Sequence, residues 1–134
     1  MTEATSNAGR MADVMRETFE AYVSAQNRGD AKAAAEFIHK GSPTYESARQ
    51  MLHQLYLNYK LRSELLGVHF VGADDVYAYV RVRQLTEKIE GPEFRDNVTD
   101  ALIVLREDEG AWKIWNQVLL HAEVAQRREA AGDE

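Results

Sequence analysis

The apolar residues of this chain change their spacing at Lys60: before it they recur every three or four positions, and after it they alternate. Met11, Val14, Met15, Thr18, Phe19, Tyr22 and Val23 form the first helical stripe, with Asp13, Arg16, Glu17 and Glu20 on other faces. Further on, Val76, Ala78, Val80 and Val82 alternate with Tyr77, Tyr79, Arg81 and Arg83, and Gln84 and Thr86 continue the first face. Helices first and strands last leave few architectures. An open sheet must bury one face, and only the preceding helices can cover it. The expected class is therefore α+β, with a mostly antiparallel sheet packed on N-terminal helices.

The local signals divide the chain further. The spacing predicts a helix over 11–28, closed by Gly29 as a residue with positive φ, and a second over 31–38 capped by Asp30. Ser42 and Pro43 are expected to open a third helix, as cap and first residue, with Tyr45, Ala48, Leu52, Leu55, Tyr56 and Tyr59 as its stripe. Strands are expected over 61–71, with Gly67 at a bulge, then over 76–89, 98–105 and 111–120. Trp112 and Ile114 share the buried phase of the last strand, whereas Trp115 is one residue out of phase. Residues 1–10 read as a loose arm, 11–124 as one domain and 125–134 as a polar tail.

Composition narrows the function classes. A chain of 134 residues is one domain with a real core. Sixteen basic against twenty-two acidic residues give a net charge of −6, which repels a phosphate backbone, so no nucleic-acid partner is expected. The absence of cysteine excludes disulfides, thiol nucleophiles and cysteine-ligated zinc. No apolar run approaches the roughly 20 residues of a membrane span, and no secretory signal opens the chain; a cytoplasmic protein with no membrane contact is the expectation. His39, His53, His69 and His121 show none of the paired spacings of a helical metal site, so neither metal nor cofactor is expected.

Two segments carry a family likeness. Residues 22–30 (Tyr-Val-Ser-Ala-Gln-Asn-Arg-Gly-Asp) and 105–115, in this order and spacing, resemble the nuclear transport factor 2-like superfamily. That group includes SnoaL-like polyketide cyclases and ketosteroid isomerases. Gly91-Pro92-Glu93-Phe94-Arg95-Asp96-Asn97 looks like a branch of small stand-alone members. The resemblance implies a cystatin-like, cone-shaped sheet curved around the first of three N-terminal helices. It also implies a small apolar ligand in the mouth of the cone and a homodimer through the outer sheet face.

The same resemblance sets the terms for catalysis. Dehydratase branches place an aspartate on the last turns of the first helix and pair it with a sheet histidine. Here Ser24 or Gln26 stands near that position, and neither takes a proton as a carboxylate does. Isomerase chemistry needs an aspartate base with a tyrosine and a protonated acid as donors. Tyr22, Tyr45, Tyr56 and Tyr59 supply tyrosines, while Asp96, flanked by Arg95 and Asn97, reads as an exposed strand start. His69 and Asp100 remain as candidate bases, with a rim or core role as the alternative for His69.

Tyr22, Tyr56, Gln84, Thr86, Arg95, Asn97 and Asn116 are expected near the mouth, as ligand contacts or as groups paired with one another. Tyr77, Tyr79, Arg81, Arg83 and Trp115 are expected on the outer face, as a dimer interface or as its surface decoration. Two functions follow. One is a small-ligand binding or protein-interaction module forming a homodimer. The other is a cofactor-free isomerase, cyclase or dehydratase acting on a small apolar carbonyl compound.

Overall fold

The structure is a computed structural model and describes residues 3–125. Among them, α1 (Glu3–Asn27), α2 (Ala31–Ala35) and α3 (Tyr45–Asn58) precede β1 (Lys60–Ala73), β2 (Tyr77–Glu90), β3 (Asn97–Asp108) and β4 (Ala111–Val124). The strands form one antiparallel meander in the order β1-β2-β3-β4, curved and unclosed. No helix of the described residues is long and apolar enough to cross a membrane.

The α1 start differs from the expected arm: the helix runs from Glu3 through residues 3–10. Nothing in that small, polar stretch forbids it, since the first proline of the chain is Pro43. At the other end, residues 122–124 belong to β4, and the expected tail beyond Ala125 lies outside the described residues.

The corner after α1 forms as its residues dictate. Gly29 adopts φ +66° and Asp30 accepts a hydrogen bond from the Ala33 N–H at 3.0 Å. The second helix stops three residues early. Its chain turns instead so that Ile38 pairs in parallel with Ile114 of β4. Two bonds hold this bridge: the Ile114 N–H donates to Phe37 O at 2.7 Å, and the His39 N–H donates to Ile114 O at 2.8 Å. The otherwise open edge of β4 is thereby paired at Ile114.

Ser42 lies three residues before α3, which begins at Tyr45 behind Thr44; its buried hydroxyl still accepts the Thr44 N–H at 3.2 Å, as a cap would, while donating to Trp115 O at 2.6 Å. A serine beside an unpaired strand carbonyl satisfies a more costly vacancy there than at a solvated helix end.

The strand registers leave five residues without a partner of their own: Leu66 and Val71 in β1, Ile89 in β2, Trp115 and Leu120 in β4. Such bulges bend a strand and strengthen its twist, which accounts for the curvature. They also explain three exposed apolar side chains, Leu66, Val71 and Leu120, each displaced from the buried phase. Gly67 adjoins the first bulge, as expected.

Met15 and Phe19 of α1, 0% and 1% exposed, pack on the inner sheet face against Ala78, Val80, Val82, Ile103, Leu105 and Ile114. A second cluster joins the helices through Ala25, Ala34, Ala35, Ile38 and Leu52. Asn27 fastens α1 to β1 by imitating a strand neighbour. Its side-chain amide donates to Ser63 O at 2.9 Å, and its Oδ1 accepts from Ser63 N at 2.6 Å.

Asp96 is 6% exposed, so the expectation of an exposed strand start is overturned. Its carboxylate accepts the Lys88 N–H at 2.9 Å, one step beyond the end of the β2–β3 ladder. Its carbonyl accepts the Ala125 N–H at 2.8 Å. A side chain thus replaces the strand that stops short, and burial follows from that bond rather than from the charged neighbours. Gly91 permits the approach of this connection: at φ +130°, a Cβ there would lie 2.6 Å from Asn58 O.

Candidate functional site

A cavity of about 170 Å³ lies between α1 and the inner sheet face, walled by Phe19, Val82, Ala101 and Ile103. Its polar lining is Tyr22 and Gln26 from α1, Gln84 from β2, Thr99 from β3 and Gln117 from β4. A smaller recess of about 70 Å³ adjoins it through Tyr22 and Gln117 and reaches Thr44, Met51 and Asn116.

These groups are linked. Gln84 Nε2 donates to Gln26 Oε1 at 3.0 Å, to Ser63 Oγ at 3.2 Å and to Thr86 Oγ1 at 3.3 Å. Burial pushes the Tyr22 phenol above its ordinary value, and a hydrogen bond with Gln26 pulls it back in part. Tyr56, packed against the inter-helix cluster, is pushed up to about 12 by burial and, secondarily, by Tyr22. Every polar group lining the cavity is an amide, a hydroxyl or a phenol that stays neutral at physiological pH. The arrangement can orient a ligand by hydrogen bonds.

The expected site residues divide accordingly. Tyr22 and Gln84 line the cavity, Thr86 is hydrogen-bonded to Gln84, and Asn116 lines the adjoining recess. Tyr56 lies next to Tyr22 without lining either space. Arg95 is exposed, and Asn97 Nδ2 donates to Arg95 O at 2.9 Å; neither lines the cavity.

Both candidate bases stand elsewhere. Asp100 pairs with Arg81 at 2.6 Å, exposed His69 sits opposite Arg81 in the β1–β2 register, and both line a separate, more open pocket of about 290 Å³ with Arg16, Arg81 and Arg83. Register explains this: Ala78, Val80 and Val82 face inward, so Arg81 and its partners face out. Among the described residues no three His, Asp or Glu side chains converge as a metal site requires.

Gln26, Thr99 and Gln117 were not among the expected ligand contacts. Gln117 is the instructive case. Strict alternation from Ile114 would turn it outward, but the bulge at Trp115 reverses the phase and brings it opposite inward-facing Ile103.

The outer face carries a denser set than expected. Tyr79 Oη donates to Asp74 Oδ2 at 2.9 Å, and Arg83 lies 3.4 Å from Glu123. The Arg106 guanidinium lies 5.6 Å from the Tyr77 ring centre and 5.0 Å from that of Trp115. His39 meets Trp115 edge-on at 5.1 Å. Trp115 therefore shares the face of Tyr77, as its phase suggests.

The family model for the C-terminal domain of the anti-sigma-I factor RsgI9 matches residues 17–124. The chain belongs to that family. Among curated proteins no sequence matches. Solved structures similar to this RsgI9 C-terminal-domain relative share its nuclear transport factor 2-like fold. A Novosphingobium aromaticivorans protein provisionally named a scytalone dehydratase superposes with TM-score 0.72 at 11% identity, covering 93% of both chains. An uncharacterised cystatin-like protein of Caulobacter vibrioides gives 0.61 at 14% identity, covering 91% of this chain and 94% of that one. A ketosteroid isomerase-like protein of Erwinia carotovora atroseptica gives 0.58 at 16% identity, covering 82% and 96%. At such identities the likeness extends to the fold alone.

Proposed function

We propose that the protein is a small-ligand binding module, non-catalytic and homodimeric through its outer sheet face. One observation carries the binding assignment: the cavity between α1 and the sheet is lined by neutral hydrogen-bonding groups, with Tyr22, Gln84 and Gln117 around an apolar wall. A neutral ligand with one or two acceptors, such as a small carbonyl compound, suits that lining. The isomerase or dehydratase alternative needs a base in the cavity, whereas His69 and Asp100 line the separate pocket, among the cations Arg16, Arg81 and Arg83. A domain named for its place at the C-terminus of an anti-sigma factor is compatible with a binding role.

The test is a calorimetric titration with small neutral carbonyl compounds over a range of pH. Affinity is expected to stay constant from about pH 5 to about pH 9, because no lining carboxylate or imidazole titrates there. Tyr22, with its pKa raised, keeps its proton throughout that window, and binding weakens only as the pH climbs past the ordinary tyrosine value of about 10. Tyr22→Phe should weaken binding about two- to tenfold, the worth of one hydrogen bond. Turnover of such a compound with a bell-shaped pH dependence would overturn the reading.

The dimer rests on Tyr77, Tyr79, Arg81, Arg83 and Trp115 sharing one face, with aromatic and arginine side chains of the kind that anchor interfaces. Light scattering at micromolar concentration should give twice the chain mass, and Tyr79→Glu should return the monomer. A dimer unaffected by Tyr79→Glu would place the interface on another surface.

A further inference from the structure

A groove of about 360 Å³ runs along the seam of α2 and α3 and shares no lining residue with the cavity of Tyr22 and Gln84. Its apolar floor is made by Ala31, Ala35 and Tyr45, which belong to the inter-helix cluster. Small side chains on α2 leave the seam open where larger ones would fill it. Along its rim stand Lys32, Lys40, Arg49 and His53, with Glu36 as the acidic lining residue. Tyr45, Arg49 and His53 follow at four-residue steps, so one face of α3 presents the phenol, the guanidinium and the imidazole in a row.

This concentration of cations runs against the chain's balance of sixteen basic to twenty-two acidic residues. Three permanent positive charges meet one carboxylate there. Arg49 also holds Glu46 at 2.8 Å, but that pair is exposed and one turn apart, the kind worth little in water and readily exchanged for a ligand. Lys113 adds a positive charge next to the rim, its Nζ donating to Glu36 O at 2.7 Å.

We propose that this groove binds a small organic monoanion: a carboxylate head held by Lys40 and Arg49, with a short apolar body lying on Ala31, Ala35 and Tyr45. The volume falls within the usual range of small-molecule sites, about 300–1,000 Å³. A metal cation would be repelled by the rim, and a neutral apolar molecule would bury the cations' surroundings without compensation. With a five-residue α2 as one wall, the seam is short for an extended acidic peptide.

The probe is octanoate, titrated into the full chain and followed by amide chemical shifts, with octanol as the neutral control. Shifts are expected at Ala31, Ala35, Tyr45, Arg49 and His53. Octanoate should bind about tenfold more tightly than octanol, and the difference should shrink with added salt. The double variant Lys40→Glu, Arg49→Glu alters two exposed side chains, so it should keep the amide spectrum elsewhere while losing octanoate binding. Lys40→Arg should retain it. Three outcomes overturn the assignment: equal affinity for octanol, octanoate shifts confined to Tyr22, Gln84 and Gln117, or tighter binding of hexaglutamate at the same groove. The last would identify an acidic protein segment as the occupant. Shifts confined to Tyr22, Gln84 and Gln117 would also show an anion in the cavity assigned to a neutral ligand; the other two outcomes leave that cavity's own test, with uncharged carbonyl compounds, untouched.

Discussion

Replacing Phe19 with alanine is expected to lower the unfolding free energy by about 3–5 kcal/mol, the usual range for a large aromatic lost from a core. Phe19 is 1% exposed and packs within the cluster formed with Ala78, Val80, Ile103 and Leu105. Its ring meets Tyr22 edge-on at 6.3 Å, so the substitution also loosens the residue that links the cavity to the adjoining recess. Since domains are stable by about 5–15 kcal/mol in all, the variant should sit near the threshold of folding. Equilibrium unfolding in urea reads the effect as a lower midpoint with an unchanged slope. Phe19→Leu, which keeps most of the volume, should lose far less. A drop below about 1 kcal/mol for the alanine variant would mean that α1 re-seats on the sheet at little cost.

Asp96→Ala is expected to destabilise the protein by about 2–3 kcal/mol, because it leaves the part-buried Lys88 N–H without its acceptor. The effect should exceed that of an ordinary hydrogen-bond deletion, since no strand residue stands ready to replace the carboxylate: β3 begins at Asn97, opposite Thr86. Asp96→Asn retains an acceptor oxygen and should recover much of the loss. Equal destabilisation in the two variants, measured by the same urea titration, would assign the effect to the negative charge instead. A loss confined to the alanine variant supports the bond as the cause.

The architecture was legible because two periodicities meet at one residue. The Met15 and Phe19 stripe and the Ala78–Val82 alternation each identify a buried face without reference to the other, and the structure brings those two faces together. The Gly29-Asp30 corner was legible for a similar reason: its chemistry is local. What escaped depends on partners distant in sequence. Ser42 bonds to Trp115, and Ile38 pairs with Ile114, contacts that no window of neighbouring residues contains.

The site was harder to read than the fold. Tyr22 and Gln84 could be assigned from phase alone, but each bulge inverts the phase of everything beyond it. That is why Gln117 faces the cavity on the C-terminal side of Trp115. Asp100 stands away from that cavity on the same arithmetic: it pairs in register with Arg83, on the side opposite Val82. Asp96 shows a different limit. Its neighbours Arg95 and Asn97 suggest solvent, yet a backbone donor one strand away draws its carboxylate inward.

The bulge in β4 has one more result. Trp112 packs toward the core while Trp115, three residues later, meets Arg106, Tyr77 and His39 on the opposite surface. The chain has two tryptophans, so its whole indole emission comes from one reporter on each side of a single sheet. With Trp115 replaced by phenylalanine, the remaining fluorescence belongs to the interior side; with Trp112 replaced, it belongs to the exterior. Two single-tryptophan proteins thus turn one optical signal into separate readings of what reaches either side.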